Sequence, residues 1–96
     1  MSYSSTVTAT KPAGVVWFNK ANKEVSQAEL TWTKSQPGFV SLTVTTPDAT
    51  TLVSTLVFQD QASFEAMAAA RATRLDYQAR KAYHAANNIT RTVTRS

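Results

Sequence analysis

The stretch Thr51 to Gln59, TLVSTLVFQ, carries apolar side chains at both parities of a strand. Leu52, Leu56 and Phe58 fall on one side with Ser54, and Val53 and Val57 fall on the other with Thr55 and Gln59. Successive side chains of a strand point to opposite faces, so this pattern asks for cover on both sides. Hiding each such side chain is worth about 1.5–3 kcal/mol. The chain has 96 residues, enough for one domain spanning 1–96 with a single modest core. A chain of that size hides only about 60–65% of its unfolded surface. One layer of helices can cover one side of the strand, and the other side has to be covered from outside the chain.

Further strands follow from the same period. In YSSTVTAT, Tyr3, Ser5, Val7 and Ala9 alternate with Ser4, Thr6, Thr8 and Thr10. In GFVSLTVTT, Val40, Leu42 and Val44 oppose Phe39, Ser41, Thr43 and Thr45. Thr46-Pro47-Asp48-Ala49 has proline at the second position of a turn, and joins that strand to TLVSTLVFQ as a hairpin. A last strand is expected over Ile89–Arg95, ITRTVTR, after the stop Asn87-Asn88. Ser and Thr supply about a quarter of the residues, and their alternation with apolar ones suits β structure with a hydroxyl-bearing face.

Between the first two strands, Trp17, Phe18, Ala21, Val25, Ala28 and Trp32 fall on one helical face, with Leu30 as an apolar outlier. Pro12 suits a first helical turn, Thr10 can cap it, and Pro37-Gly38 ends it. The spacing predicts a helix over about 13–35, against the β-branched pair Val15-Val16. Asp60 caps a second helical region, in which Phe64, Met67, Ala68, Leu75, Ala79, Ala82 and Ala86 share a face. That region is either one long helix or two abutting ones. The order is β-α-β-β-α-β: an α+β, ferredoxin-like fold with a four-stranded antiparallel sheet and two helices on one face. The apolar residues on the uncovered side, Val53 and Val57 with Phe39, then favour a homodimer in which two sheets meet face to face.

Composition narrows the function classes. There are no cysteines, so disulfide and thiolate chemistry are excluded. No apolar run is long enough to span a membrane, and MSYSSTVTAT lacks the basic-then-apolar layout of a secretory signal; a cytoplasmic protein is expected. Asn88-Ile89-Thr90 matches a glycosylation acceptor by chance in that setting. The net charge is +4, with Arg71, Arg74, Arg80 and Lys81 as the densest basic group, a pattern that reads as a solvated helix face or as attraction to nucleic acid. No phosphate-binding glycine loop, zinc-spaced His/Cys set or serine triad is present, and carboxylates are few and dispersed.

Three elements resemble the dimeric α+β barrel superfamily, typified by antibiotic-biosynthesis monooxygenase-like proteins. They are Lys11-Pro12-Ala13-Gly14 after the first strand, QPGFVS from Gln36 to Ser41, and LVFQDQASFEAM from Leu56 to Met67. All three are packing and turn features that together span most of the chain. The resemblance implies a ligand site between the sheet and the helices of each subunit. It also implies a function among cofactor-independent oxygenases of aromatic polyketides, haem-degrading oxygenases, isomerases and members without known activity. The haem-degrading branch uses an Asn on the first strand with a Trp and a His near the second helix. Here the first strand has no Asn and no Trp lies near the second helical region, so no cofactor and no metal are assigned.

The expected function is the binding of a small apolar or aromatic molecule. Monooxygenase-like or isomerase-like chemistry accompanies it if the chain is catalytic; the alternative is a non-catalytic ligand-binding or structural dimer. The pocket residues singled out are Trp17, Trp32, Phe39, Arg71 and Tyr83, with His84 and Arg71 as the groups for chemistry. Arg71 interrupts an apolar helix face, as an anchor for an anionic or carbonyl-bearing ligand would, or as a snorkelling side chain or an ion-pair partner of Glu29 would. His84 lies off the main apolar face and reads as a general base or as an exposed or dimer-contact histidine. Trp17, Trp32, Phe18 and Phe39 either line an aromatic pocket or pack as core. RNA-recognition modules share this topology. PGFVSLTV falls on the second strand rather than the third and lacks the basic and second aromatic residues of their motif, so nucleic acid is not the expected partner.

Overall fold

A computed structural model describes residues 2–96. The strands are β1 (Tyr3–Thr10), β2 (Phe39–Asp48), β3 (Thr51–Phe58) and β4 (Thr90–Arg95). The helices are α1 (Phe18–Ala21), α2 (Lys23–Lys34), α3 (Gln61–Arg71) and α4 (Leu75–Ala86). The strands form one antiparallel sheet in the order β2-β3-β1-β4. This is the β-α-β-β-α-β ferredoxin-like arrangement, with each helical limb broken in two.

Register decides which side chains meet the helices. Ser5, Val7 and Ala9 of β1 pair with Leu56, Ser54 and Leu52 of β3 on one edge, and with Arg95, Val93 and Arg91 of β4 on the other. Directly paired residues share a face, so these residues all lie under the helices. The opposite face carries Thr6, Thr8, Thr10, Val53, Thr55 and Val57, with Thr90, Thr92 and Thr94 beside them. Across it the Thr6 and Thr55 hydroxyls stand 3.4 Å apart.

Two apolar clusters hold the layers together. Phe58, Phe64, Leu56 and Met67 are buried in the first, with Tyr3, Trp32, Phe39 and Leu42 packed against them. Phe58 meets Phe64 and Phe39 nearly edge-on, at 5.9 and 6.0 Å between centroids, a favoured geometry for the ring quadrupoles. Ala9, Trp17 and Ile89 form the second, with Val15, Leu52 and Tyr83 around them.

Several local expectations are corrected. The first helix does not start at 13: Lys11 to Trp17 is turn and extended chain, and α1 begins at Phe18. Gly14 has φ +87°, outside the helical region, and the β-branched pair Val15-Val16 follows it. This segment is not a sheet member either. Thr10 lies in β1 rather than capping a helix, and the limb is interrupted at Asn22 (φ −138°, ψ 69°). The hairpin turn comes later than Thr46–Ala49, at Ala49-Thr50, where Asp48 Oδ1 accepts from the Thr50 amide at 3.0 Å. A bulge between Phe39 and Ser41 places Phe39 opposite Phe58 and Leu42 opposite Leu56, so Phe39 joins Leu42 in the core instead of facing away.

The second helical region is two helices, and the break at 72–74 turns Leu75 outward to 81% exposure, off the apolar face it was expected to share. Asp60 caps α3 as expected, accepting from the Ser63 amide at 2.7 Å.

Candidate functional site

Between the two apolar clusters the layers do not close. A cavity of about 460 Å³ opens there, within the size range of small-molecule sites. Val7, Leu52, Leu56 and Val93 belong to its sheet side, and Phe18, Leu30 and Thr33 to its helical side. Its polar wall holds Arg71, Tyr77, Arg80 and His84 of the second helical limb, Glu29 of α2, and Arg91 and Arg95 of β4.

The charges there are unevenly matched. Arg80 donates from Nε and Nη2 to the two carboxylate oxygens of Glu29, both at 2.9 Å, tying α4 to α2. Glu29 itself is only 8% exposed, and Thr33 Oγ1 donates to its backbone carbonyl. The expected Glu29 partner, Arg71, is therefore displaced by Arg80. Arg71 Nε is buried without a hydrogen-bond partner among the described residues. Its guanidinium instead lies 4.8 Å from the Tyr77 ring, whose face Arg80 and Lys81 also approach. Burial pulls the Arg71 guanidinium below its ordinary value, against the opposing influence of Tyr77, and the charges of Arg80 and Arg91 add to the lowering.

His84 lines the same cavity rather than lying exposed, and its Nδ1 is buried without a partner among the described residues. Burial first, then repulsion from Arg80 and Arg91, pushes the imidazole down to about 4, with Glu29 pulling weakly the other way. It is neutral at pH 7, with a ring nitrogen free to donate or accept one hydrogen bond.

Of the residues singled out in the sequence, the fold brings Trp17, Phe18, Arg71 and His84 to the cavity. Trp32 and Phe39 pack in the first core cluster, and Trp32 is faced by Arg74 at 4.6 Å. Tyr83 packs against the second cluster, its ring 5.5 Å from Phe18, and its hydroxyl donates to the Val16 carbonyl. Arg80, Arg91 and Arg95 were not singled out as site residues. A signal existed for two of them: in ITRTVTR, Arg91, Val93 and Arg95 share one parity, and pairing with β1 turns that parity inward. Among the described residues, no three His, Asp or Glu side chains gather as a metal site requires. Among them too, no helix is long and apolar enough to cross a membrane.

No family model matches the chain, and no curated protein matches it. Solved structures do. The cofactor-independent oxygenase SnoaB from Streptomyces nogalater superposes with a TM-score of 0.66 at 15% identity, covering 100% of this chain and 92% of that one. A candidate antibiotic biosynthesis monooxygenase from Nitrosomonas europaea gives 0.71 at 15% identity, with 99% and 88% covered. A dimeric ferredoxin-like protein from an uncultured marine organism gives 0.71 at 20% identity, with 99% and 92% covered. At these identities the likeness is one of fold. The chain has a ferredoxin-like α+β fold shared with these structures, the fold that its three sequence elements indicated.

Proposed function

We propose that this chain forms a homodimer whose subunits each hold a small apolar or aromatic molecule between sheet and helices. The observation that carries the reading is the cavity of about 460 Å³ with Trp17, Phe18, Leu30 and Val7 on its walls. A ring system placed there exchanges water for hydrocarbon contact at about 25 cal/mol per Å² of apolar surface. The dimer is supported by the outer sheet face, where the paired residues of β1, β3 and β4 are Thr, Ser and Val without a charge. That face gives bases no aromatic side chain to stack on, which argues against an RNA platform. The dimeric ferredoxin-like neighbour is consistent with pairing.

The catalytic form of this reading is a cofactor-independent monooxygenase or isomerase; the similar structure SnoaB is a cofactor-independent oxygenase. Such chemistry asks the cavity for a proton acceptor and for cations beside the anion that deprotonation leaves. His84 and Arg71 are the groups in those places. A second reading, a non-catalytic binding dimer, is favoured by one observation: an imidazole held down to about 4 is a weak base at neutral pH.

The test is calorimetric titration of the protein with a neutral bicyclic arene, 2-naphthalenemethanol, and of a Val7→Trp variant whose indole fills the cavity. Saturable binding that Val7→Trp abolishes, with the far-UV spectrum unchanged, supports the site. Equal binding by the variant places the ligand elsewhere and overturns the reading. Oxygen uptake with hydroxylated arenes separates the catalytic form from the binding one.

A further inference from the structure

The cavity wall is far more cationic than an apolar ligand needs. Four guanidinium groups, those of Arg71, Arg80, Arg91 and Arg95, line it against the single carboxylate of Glu29. That carboxylate is already engaged by Arg80 through both oxygens. Arg95 stands over the Phe64 ring at 5.0 Å, toward the first core cluster. The positive charge left over is concentrated around Arg71 and Arg91. Arg71 feels the repulsion of both Arg80 and Arg91, and so does His84.

An arginine with a buried, unpartnered Nε is costly unless something else satisfies it. Among the described residues, carboxylates within ion-pair distance serve only Arg74 and Arg80. The face of Tyr77 gives Arg71 partial compensation and leaves its Nε without an acceptor among the described residues. An anion in the cavity would supply one. The guanidinium fork matches a planar carboxylate through paired N–H donors, and the neutral His84 Nδ1 on the same cavity wall offers one more hydrogen bond. The apolar walls contributed by Val7, Leu30 and Phe18 suit the rest of the molecule.

We infer that the cavity selects a carboxylate-bearing aromatic molecule, with its ring between sheet and helices and its carboxylate on Arg71 and Arg91. This rests on the cavity being the ligand site, and it adds the chemical class of what enters. Arg80, held by Glu29, shapes the wall and contributes field rather than a direct bond.

The experiment compares two probes of one ring system: 2-naphthoate and 2-naphthalenemethanol, titrated calorimetrically into the full chain, into Arg71→Gln and into Arg91→Gln. The inference expects naphthoate to bind at least tenfold more tightly than the alcohol. It expects either substitution to cut that advantage severalfold, the affinity for naphthoate falling much more than that for the alcohol. If one variant fails to fold, the other carries the test. Equal affinity for the two probes overturns the carboxylate inference and leaves the cavity reading standing. Binding of neither probe overturns both. An advantage for naphthoate that survives both substitutions places the anion elsewhere and overturns the inference. Binding of inorganic phosphate without either arene overturns it in favour of a simple anion site.

Discussion

Arg80 and Glu29 meet through two hydrogen bonds of 2.9 Å, joining α4 to α2 in the wall of the cavity. The side chains are 22% and 11% exposed, so solvent screens the pair little. Removing one partner of such a pair leaves the other charge poorly solvated, at a cost of about 3–5 kcal/mol in buried cases. Glu29→Gln should lower stability by about 2–4 kcal/mol on that scale, read from the urea midpoint. The double replacement Glu29→Leu, Arg80→Met should be milder than the single one, because no orphaned charge remains. A neutral Glu29→Gln would show that the pair does not hold the helices together.

His84 gives the protein a pH signature. Its folded value is about 4, against an ordinary 6.5. The unfolded chain therefore takes up a proton that the folded chain refuses between those values. Stability from this group is fully present above pH 6.5 and falls as pH drops toward about 4. His84→Asn should flatten the stability profile across that window. The depressed carboxylates Asp60 and Asp76 act at lower pH, below their ordinary 3.8. Urea unfolding at half-unit pH steps checks this; a profile unchanged by the substitution would contradict the half-buried, neutral histidine.

Gly38 is required twice over. Its φ is +84°, and a Cβ there would come 2.7 Å from the Ser63 Cβ at the start of α3. Gly14 has a similar φ of +87° but open space around a built Cβ. Gly38→Ala should therefore cost more than Gly14→Ala, which bears only the backbone penalty of about 1–2 kcal/mol. Thermal unfolding of the two variants side by side gives the comparison, and equal losses would mean that the Ser63 contact relaxes freely.

These elements show where the sequence was transparent. The period-2 pattern of TLVSTLVFQ marked a strand, and β3 forms over Thr51–Phe58. The Asp60–Ser63 cap needed only local chemistry and formed as expected. Other features depended on geometry that side-chain type does not encode. The bulge at Val40 reversed the facing of Phe39. The positive φ of Gly14 kept Val15–Trp17 out of the helix that their spacing suggested. The choice of Arg80 over Arg71 as partner of Glu29 turns on how α4 is offset from α3 by the break between them. The inward arginines of β4 had a visible parity, but only the register with β1 told which side was inside.

The outer sheet face carries the proposed dimer contact. Thr55 sits opposite Thr6 near its middle, and Val53 and Val57 flank it. Thr55→Glu would set two carboxylates against each other across a two-fold contact. Sedimentation equilibrium should show a dimer at micromolar concentration for the parent chain and a monomer for the variant. A monomeric parent would remove the cover that the double-sided strand requires.

The most direct test of the ligand-site reading is an amide chemical-shift titration of the full chain with 2-naphthalenemethanol, a probe without charge. The account predicts saturable shifts concentrated at Val7, Leu30, Thr33 and Val93, which surround the cavity, and little change at Thr6, Thr55 or Thr92 on the opposite sheet face. Shifts confined to that threonine face, or none at saturating probe, would contradict it.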